Sequence, residues 1–349
     1  MAAEGPLSAL ASALGGKEAP DNACRYGGRP GHVESYFLRA NHSSRPLALW
    51  LKATILAPLA SPAVAEAWFI FFDGEKGTTF AQRCTEPFEQ AAFTGAGAPE
   101  LQVRAAGLEL LLGAQGSARG AFVAPEGTAA LDLVWKADAS PIAMPLSLFP
   151  YRLLRTGPFP KSKVLTPFPA LRFSGRVTLP GGEVVLDDWW GMQGHNWGKE
   201  HAFEYVWGQC LFPADDAMAE GFSGRLRVAG RTSPRISALV VRKGARTFRF
   251  DTLFDVWRQE ADVGADAWRL TLRGGDGEAH IEMDASGRPM VCLGYGNPNG
   301  EMSYCFNSKL ARVTLTVRPM DDASFTCESE HGGALEFLRR EADPRFPVV

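Results

Sequence analysis

Short runs of alternating apolar and polar residues, separated by glycine-rich turns, recur along most of this chain and predict β-strands. In the run that starts at His32, odd positions fall on one face and even positions on the other, which is the period of two that a strand requires. Further runs cover Ala48–Pro58, Glu66–Gly77 and Ala130–Ala139. Strands at this short spacing are typical of a β-barrel or sandwich, whereas βαβ units would need helices between them.

The alternation is interrupted once and then resumes. Ser140–Phe168 holds six prolines and no clear period. We interpret it as a surface crossing segment, with a lid or wall over a cavity as the alternative. Strands resume in a hairpin over Leu171–Gly191, which has a Pro-Gly-Gly turn. Only Gly332–Phe346 has a helical pattern, because its leucines lie three residues apart.

These runs predict a mainly β protein with few short helices. Its length of 349 residues favours two domains, although a single large β architecture is the alternative. A hydrophobic fraction of 46% suffices for a sizeable core. We expect an N-terminal tail at 1–30 with a short helix around Pro6–Leu14, a first β domain at 31–190, and a second at 191–349 that ends in a C-terminal helix.

Charge and composition exclude several classes of function. A net charge of −3 offers no basic surface for nucleic acid. No apolar run reaches the roughly 18 residues of a transmembrane span, and the N-terminus lacks the regions of a secretory signal. The six cysteines form no CxxC pair and are expected to be free thiols. A cytoplasmic location is therefore expected, and the oligomeric state is left open.

One stretch differs from an ordinary core strand. Asp187–Cys210 holds four of the nine tryptophans and two of the six histidines, beside several carboxylate and amide side chains. Polar groups among large rings need hydrogen-bond partners when they are buried. This stretch is therefore the candidate functional site. A hydrogen-bonded plug that joins two β units would explain the same residue types, and the two interpretations stay open.

Metal, nucleophile and nucleotide sites find little support in the sequence. On an extended strand His195 and His201 would lie about 20 Å apart, too far for one metal ion, and no further ligand stands at a recognised spacing. A GxSxG motif is absent, and the glycine-rich pieces are hairpin turns rather than phosphate loops. General acid–base chemistry remains, because a histidine titrates near neutral pH and burial among rings raises the pKa of a carboxylic acid. No metal and no cofactor is expected.

The candidate catalytic residues are ionisable groups in this stretch or in the first strand, and the candidate ligand-binding residues are the rings and amides near them. The catalytic candidates are His195, Asp188, Glu34 and His201. The ligand-binding candidates are Trp190, Gln193, Asn196, Trp197, Tyr205, Trp207 and Tyr36. The tryptophan rings would hold an apolar substrate and steady a developing carbocation.

The motif GMQGHNWG at 191–198, followed by His201, Tyr205 and Trp207, resembles the signature of AttH-like proteins. These proteins belong to a lipocalin-like (calycin) superfamily that includes bacterial carotenoid 1,2-hydratases (hydroxyneurosporene synthase), plant tocopherol cyclases and fungal calycin-type Diels–Alderases. Val33–Ile55 and Ala65–Asp73 also resemble the first strands of that group. The likeness therefore covers about residues 25–345, nearly the whole chain.

The resemblance implies two consecutive lipocalin-like antiparallel β-barrels or half-barrels, with a ligand cavity in or between them. It also implies a small hydrophobic ligand of isoprenoid or polyketide type and chemistry without a cofactor. In such chemistry an acid protonates an alkene, which leads to hydration, or the cavity folds a reactive chain for cyclisation. The motif match does not select the acid among His195, Glu34 and Asp188.

Three hypotheses follow. The first is a cofactor-independent hydratase (lyase) or cyclase (isomerase) for a terpene-like or polyketide-like substrate, which contacts a membrane only transiently to take up substrate. The second is a lipocalin-like carrier that binds a small hydrophobic ligand without chemistry. The third is a structural or partner-binding β protein, which the absence of a cavity of roughly 300 Å³ or more near the motif would support.

Overall fold

The computed structural model describes residues 22–95, 100–228, 231–252, 255 and 259–349. In these residues the chain is mostly antiparallel strand, arranged in two curled sheets that each form a half-barrel. The predicted mainly β class with two lipocalin-like half-barrels is confirmed. The predicted helix around Pro6–Leu14, and most of the predicted tail, lie outside the described residues.

The N-terminal half-barrel is one sheet of 11 strands. They are β1 (His32–Asn41), β2 (Leu47–Ala57), β3 (Val64–Asp73), β4 (Thr78–Pro87), β5 (Ala92–Thr94), β6 (Leu101–Ala105), β7 (Leu108–Leu112), β8 (Gln115–Ala124), β9 (Gly127–Ala137), β10 (Ser162–Leu179) and β11 (Gly182–Gly198). Their order across the sheet is β4-β3-β2-β1-β11-β10-β9-β8-β7-β6-β5. The pairing of β1 with β11 joins the two ends of this part of the chain.

The C-terminal half-barrel is a sheet of 10 strands. They are β12 (Glu204–Phe212), β13 (Ala217–Arg225), β16 (Ile236–Lys243), β17 (Arg246–Phe250), β18 (Gln259–Val263), β19 (Ala267–Gly274), β20 (Gly277–Asp284), β21 (Val291–Gly296), β22 (Met302–Pro319) and β23 (Phe325–Arg339). Their order is β17-β16-β13-β12-β23-β22-β20-β19-β18, and β21 pairs with β22.

Few other elements occur among the described residues. A two-stranded ribbon is formed by β14 (Arg227–Val228) and β15 (Arg231–Thr232). A single short α-helix, α1 (Arg152–Thr156), lies in the proline-rich segment. Three 3₁₀ turns cover Phe88–Gln90, Pro141–Ala143 and Pro213–Asp215.

The core consists of three apolar clusters, one inside each half-barrel and one between them. Each half-barrel curls around its own interior, and a third cluster fills the space between them. In β1 the even positions Leu38 and Ala40 point into the N-terminal interior, whereas Phe37 points to the other half-barrel. We call the third cluster the inter-barrel layer. Its larger members include Phe37, Trp50, Trp68, Ile70, Phe72, Met192, Trp207, Met218, Tyr295, Cys305 and Leu338.

The predicted C-terminal helix at Gly332–Phe346 is wrong. Its first eight residues belong to β23, which pairs with β12 and β22. Leu335 points into the C-terminal interior, and Leu338 points into the inter-barrel layer. A strand that is buried on both faces has a nearly continuous apolar run, and such a run cannot be told from a buried helix by its spacing.

The chain passes from the first sheet to the second between β11 and β12. The predicted division stood at 190/191, and the structure continues β11 in the first sheet to Gly198. Residues 199–203 then form the linker to β12, which begins at Glu204. The motif at 191–198 therefore lies in the N-terminal sheet, and His201 lies in the linker.

The proline-rich segment Ser140–Phe168 leads from β9 into β10 of the N-terminal sheet and packs against the C-terminal half-barrel on the way. Its residues Ile142, Leu146 and Leu148 are buried members of the inter-barrel layer. Arg242 of β16 donates hydrogen bonds to backbone carbonyls of this segment, including that of Ile142 at 3.2 Å. The segment is thus a packed wall of the layer rather than a free linker.

Gly194, within the motif, shows why a glycine is required there. It lies opposite Phe37 in the β1–β11 pair, and a Cβ at this position would come 2.1 Å from the Phe37 ring. That ring already meets Trp207 edge-on, with the centroids 6.0 Å apart. We expect Gly194→Ala to lower the free energy of unfolding by about 1–3 kcal/mol through overpacking, as measured by urea denaturation.

Gly181→Ala is the matched control for that change. Gly181 lies in the turn between β10 and β11, and a Cβ added there would meet no other part of the chain within 4 Å. Its substitution should leave the unfolding free energy within about 0.5 kcal/mol of the native value. Equal losses in the two variants would show that the contact with Phe37 does not explain Gly194.

Candidate functional site

A hydrogen-bonded cluster around Glu34 occupies one end of the N-terminal half-barrel. The Glu34 side chain is fully buried and accepts a hydrogen bond from the Tyr36 hydroxyl at 2.8 Å. His195 Nε2 lies 2.9 Å from Oε1, and His32 Nε2 lies 3.0 Å from Oε2. The β1–β11 register pairs Tyr36 with His195, so their rings stack with centroids 4.3 Å apart.

Residues 22–25 cover this cluster. The backbone N–H of Arg25 donates to both Glu34 oxygens, at 2.9 and 3.1 Å, and the Cys24 thiol lies 3.9 Å from Oε2. The guanidinium of Arg25 stacks 4.0 Å from the centroid of the Trp197 ring. Beside them, the Gln193 amide donates to Asn22 Oδ1. From residue 22 onward the predicted tail is therefore part of the packed half-barrel.

The protonation state of Glu34 follows from these contacts. Burial raises the pKa of Glu34, but the hydrogen bonds from His195 and His32 outweigh it and hold that pKa well below its ordinary value. Burial and the Glu34 charge in turn raise the pKa of the Cys24 thiol to about 11 and raise that of Tyr36. A carboxylate with five partners and a lowered pKa holds no proton to give at neutral pH. The geometry gives no support to Glu34 as a proton donor.

The lowered pKa of Glu34 makes a pH-dependent contribution to stability. Because its pKa is lower in the folded chain than the value of 4.5 in the unfolded chain, the contribution is present above about pH 4.5 and is lost as the pH falls. We expect urea denaturation between about pH 7 and pH 3 to show a steeper loss of stability in the native protein than in Glu34→Gln. Parallel pH profiles would contradict this assignment.

A second set of charged and amide side chains lies in the inter-barrel layer, where both half-barrels contribute. These side chains are buried and come from strands of both sheets. They are Arg39, Asn41, Lys52, Glu66, Gln209, Glu220, Arg242, Asn307, Lys309 and Glu336. Buried charges require partners to offset their desolvation. The partners of each group therefore show which of them are satisfied within the protein.

Lys309 and Glu336 satisfy each other. Lys309 Nζ lies 2.6 Å from Glu336 Oε1, and the Asn307 amide donates to the same oxygen at 3.0 Å. The Lys309 ammonium also lies between two tryptophan rings, 5.7 Å from the Trp50 centroid and 5.8 Å from the Trp207 centroid. This pair has the compact, hydrogen-bonded geometry that a buried ion pair needs.

Glu220 of β13 is only partly satisfied. Its Oε1 accepts hydrogen bonds from the Thr166 hydroxyl at 2.7 Å and from the Trp207 indole at 3.2 Å. Within the described part of the chain its Oε2 is buried and has no hydrogen-bond partner. Burial raises the pKa of Glu220 to about 7, against the lowering effect of those hydrogen bonds and of Arg242 and Arg39. A carboxyl in this state exchanges its proton near neutral pH.

His201 borders the layer from the linker. Its ring lies 5.2 Å from that of Tyr295, and its backbone N–H donates to Asn297 Oδ1 at 2.9 Å. Burial and the charge of Lys52 lower the pKa of His201 to about 3. The imidazole is therefore neutral at pH 7, and its low pKa makes it a weak proton acceptor and not a proton donor.

The remaining sequence candidates fall in different places. Asp188, with φ of 57°, lies on the outer surface and pairs with Arg172. The guanidinium of Arg172 stacks 3.8 Å from the Trp190 ring centroid. Asn196 is half-buried and lies opposite Ser35 in the β1–β11 pair. The sequence candidates thus form two groups. One group lies at one end of the N-terminal half-barrel and consists of Glu34, Tyr36, His195, Gln193 and Trp197. The other lies at the inter-barrel layer and consists of His201, Tyr205 and Trp207, and Asp188 belongs to neither group.

Glu220 and Lys52 were missed by sequence reasoning. Lys52 is the single charged residue of LALWLKATILA, and Glu220 is the only charged residue of AMAEGFSGR besides the terminal Arg225. A charged residue within an apolar strand could have indicated these two positions, because a buried charge is costly and is retained where it has a role.

Two surface clefts of the described residues lie away from 187–210. Their volumes are about 480 and 260 Å³. The larger lies over β6–β8, and the smaller is lined by the proline-rich segment.

Across the described ranges, no three His, Cys, Asp or Glu side chains are grouped to hold a metal ion. None of the helices described there is long and apolar enough to cross a membrane.

Comparison with known sequences gives distant relatives. No family model matches the chain. Two uncharacterized proteins, from two strains of Mycobacterium tuberculosis, are each 26% identical to it over 303 residues. The alignments cover 84% of this chain and 83% of each relative.

Comparison with solved structures shows the fold. An AttH-type protein from Nitrosomonas europaea has a TM-score of 0.59 at 13% identity, covering 93% of this chain and 96% of that one. CghA solved with Sch210972 has a TM-score of 0.59 at 10% identity, covering 94% and 98%. Kievitone hydratase from Nectria haematococca has a TM-score of 0.52 at 10% identity, covering 93% and 98%. The predicted resemblance to AttH-like proteins is confirmed in the fold, and these neighbours include an enzyme.

Proposed function

We propose that this protein is an enzyme that promotes the hydration or cyclisation of a small apolar molecule by proton transfer in the inter-barrel layer. The observation that carries the proposal is Glu220. It is a buried carboxyl with one unpartnered oxygen among the described residues, and it lies against the Trp207 indole. Its raised pKa, about 7, leaves a large share of the molecules with a proton to give at neutral pH.

The chemistry follows from that position. The protonated Oε2 of Glu220 gives its proton to one carbon of an alkene, whose π electrons form the new C–H bond and leave a carbocation. The Trp207 and Phe222 rings lie in or against the same layer and stabilise the positive charge. In hydration a water molecule adds to the cation, and the resulting oxonium ion loses a proton. In cyclisation a second alkene of the substrate adds, and the new carbocation loses a proton from a neighbouring carbon. In either case the proton returns to the Glu220 carboxylate, so the chain needs no cofactor for this reaction.

The kinship in fold supports a reaction of this class. Kievitone hydratase is by name a hydratase, and its fold covers nearly all of this chain. A substrate of isoprenoid or polyketide type would supply both the alkene and the apolar surface that the layer favours. Fold alone does not assign a reaction, so the proposal depends on Glu220 rather than on this likeness.

Substrate would enter near the linker 199–203. The side chains from His201 to Tyr205 are half-exposed, whereas Trp207 and Glu220 behind them are buried. Entry therefore requires the linker or the half-barrels to move apart, as lids and loops do in many enzymes. His195 would act through Glu34 by holding the end of the N-terminal half-barrel in place.

The test begins with the natural ligand. Apolar molecules that co-purify with the protein would be identified by mass spectrometry and then incubated with it in ¹⁸O-labelled water. Hydration would give a product that carries the heavy oxygen, and cyclisation would give an isomer of unchanged mass. Recovery of an unaltered ligand after prolonged incubation would contradict the enzyme and favour a carrier of hydrophobic molecules.

A further inference from the structure

Lys52 occupies an unusual position for a lysine. It lies on β2 between Phe37 of β1 and Trp68 of β3, facing the inter-barrel layer, and is 3% exposed. An ammonium group has three N–H donors, and removing it from water costs several kcal/mol unless a partner compensates. Lys309, in the same layer, has such a partner in Glu336 at 2.6 Å.

Lys52 has no corresponding carboxylate. Over the part of the chain that the structure describes, its Nζ donates no hydrogen bond and forms no ion pair within 4.0 Å. The neighbouring carboxylates are engaged elsewhere, since Glu66 accepts from the Trp68 indole at 3.1 Å and Glu336 accepts from Lys309. Lys52 is thus a buried cation whose three donors are open, in a chain that pairs Lys309 closely.

Aromatic rings surround the Lys52 ammonium instead. Nζ lies 3.6 Å from the Tyr295 ring centroid and 5.9 Å from the centroids of Trp50 and Trp68. Cation–π attraction offsets part of the desolvation cost but leaves the hydrogen-bonding capacity unused. The rings also form an apolar surface beside the charge. This combination fits a ligand that has both an apolar body and one anionic oxygen group.

The charge state suits such a ligand at neutral pH. Burial lowers the pKa of Lys52 to about 8, while Glu66, Cys305 and Glu336 act in the opposite direction. Most of the lysine is therefore protonated at pH 7. Arg227 and Arg340 lie 5.6 and 5.9 Å from the ring centroid of Phe203 in the linker, and Arg340 is also paired with Glu301.

We propose that Lys52 binds the anionic oxygen of the substrate, a carboxylate, enolate or phenolate attached to an apolar skeleton. This site deepens the proposed function and rests on it, because it takes the inter-barrel layer as the place where substrate binds. Lys52 would fix the polar end of the molecule by a charge-assisted hydrogen bond. The apolar body would then extend along Trp50 and Trp207 toward Glu220.

The test uses two probes that differ only in charge, cis-parinaric acid and its methyl ester, whose fluorescence rises on binding to apolar sites. The native protein should bind the acid more tightly than the ester. Lys52→Met should weaken binding of the acid by about 10- to 100-fold and leave the ester unchanged, because only the charge-assisted bond is lost. Lys76→Met, on the exposed turn after β3, is the control and should alter neither.

A pH titration provides a second measurement that does not depend on the folding of Lys52→Met. In Glu220→Gln, where that carboxyl cannot titrate, affinity for the acid should fall as the pH rises from about 7 to 9 and Lys52 loses its proton, while affinity for the ester stays constant. Burial keeps Tyr295 and Cys305 protonated and His201 neutral in this range. The other charged groups described near Lys52 include Glu66, the Lys309–Glu336 pair and Arg83, whose guanidinium lies 4.9 Å from the Trp68 ring centroid.

Equal affinity for the acid and the ester, or a preference that survives in Lys52→Met, would overturn the anion site. Failure of the proposed function gives a different result. If the probes behave as expected and Glu220→Gln retains full turnover, the proton donor is wrong and the anion site stands. If turnover is lost in Glu220→Gln but the probes bind equally, the anion site alone is wrong.

Discussion

Glu34→Ala is expected to lose about 3–5 kcal/mol of unfolding free energy, which is a large fraction of the 5–15 kcal/mol typical of a folded domain. The substitution removes the acceptor that Tyr36, His32, His195 and the Arg25 backbone share. The Tyr36 hydroxyl, which is fully buried, loses its hydrogen bond to Glu34, so its desolvation cost is no longer offset. Thermal or urea unfolding would measure the loss, and residues 22–25 should become more accessible to protease because their hydrogen bonds to Glu34 are gone.

Glu183→Ala is the control for Glu34→Ala. Glu183 is exposed at the start of β11 and lies 3.7 Å from Arg176, so its removal should change stability by less than about 1 kcal/mol. Native-like stability in Glu34→Ala would contradict the view that this carboxylate organises the end of the N-terminal half-barrel. It would also reopen a chemical role for the Glu34–His195 pair.

Glu220→Gln is expected to lower turnover of the natural substrate by about 10²- to 10⁴-fold, the usual contribution of a general acid. A glutamine side chain keeps the shape of Glu220, and its carbonyl oxygen can still accept from Thr166 and Trp207. It cannot release a proton near neutral pH. The variant should therefore fold normally and bind substrate, so the loss should appear in kcat rather than in KM.

Stability offers an independent measurement on Glu220. Its pKa is raised from 4.5 to about 7, so the stability of the native protein is highest below about pH 4.5 with respect to this group and declines as the pH rises toward 7. Each pH unit in that window changes the free energy of unfolding by up to about 1.4 kcal/mol. Glu220→Gln should lack this decline. Unchanged turnover together with an unchanged pH profile would show that the carboxyl neither titrates nor reacts.

The strands could be predicted from local patterns, because the alternation of apolar and polar residues in a strand involves only neighbouring positions. The alternation after His32 placed even and odd positions on opposite faces, and β1 has that arrangement. The same logic failed at Gly332–Phe346, because burial on both faces of β23 erased the alternation. β1 is buried on both faces as well, but its polar residues Glu34, Ser35 and Arg39 interrupt the apolar run, whereas Ala334–Leu338 of β23 has only Glu336.

The candidate site could be predicted only in part, since its partners are far apart in the chain. Glu34 and His195 were each selected by residue type, yet their contact joins positions 161 residues apart. Glu220 and Lys52 were not selected. Periodicity shows which residues share a face of a strand, but it does not show that another half-barrel covers that face. Their burial arises from the packing of one half-barrel on the other.

The strand order has a consequence for synthesis on the ribosome. The first sheet cannot be completed until β11 is made, because β1 pairs with it, and the second sheet waits for β23, which pairs with β12. The half-barrels would thus fold one after the other as the chain emerges. Lys52 and its neighbours on β1–β3 would stay hydrated on a nearly finished first half while the second is translated. An intermediate in which only the first half-barrel has folded lacks the inter-barrel layer, and chaperones would meet an apolar face at that stage.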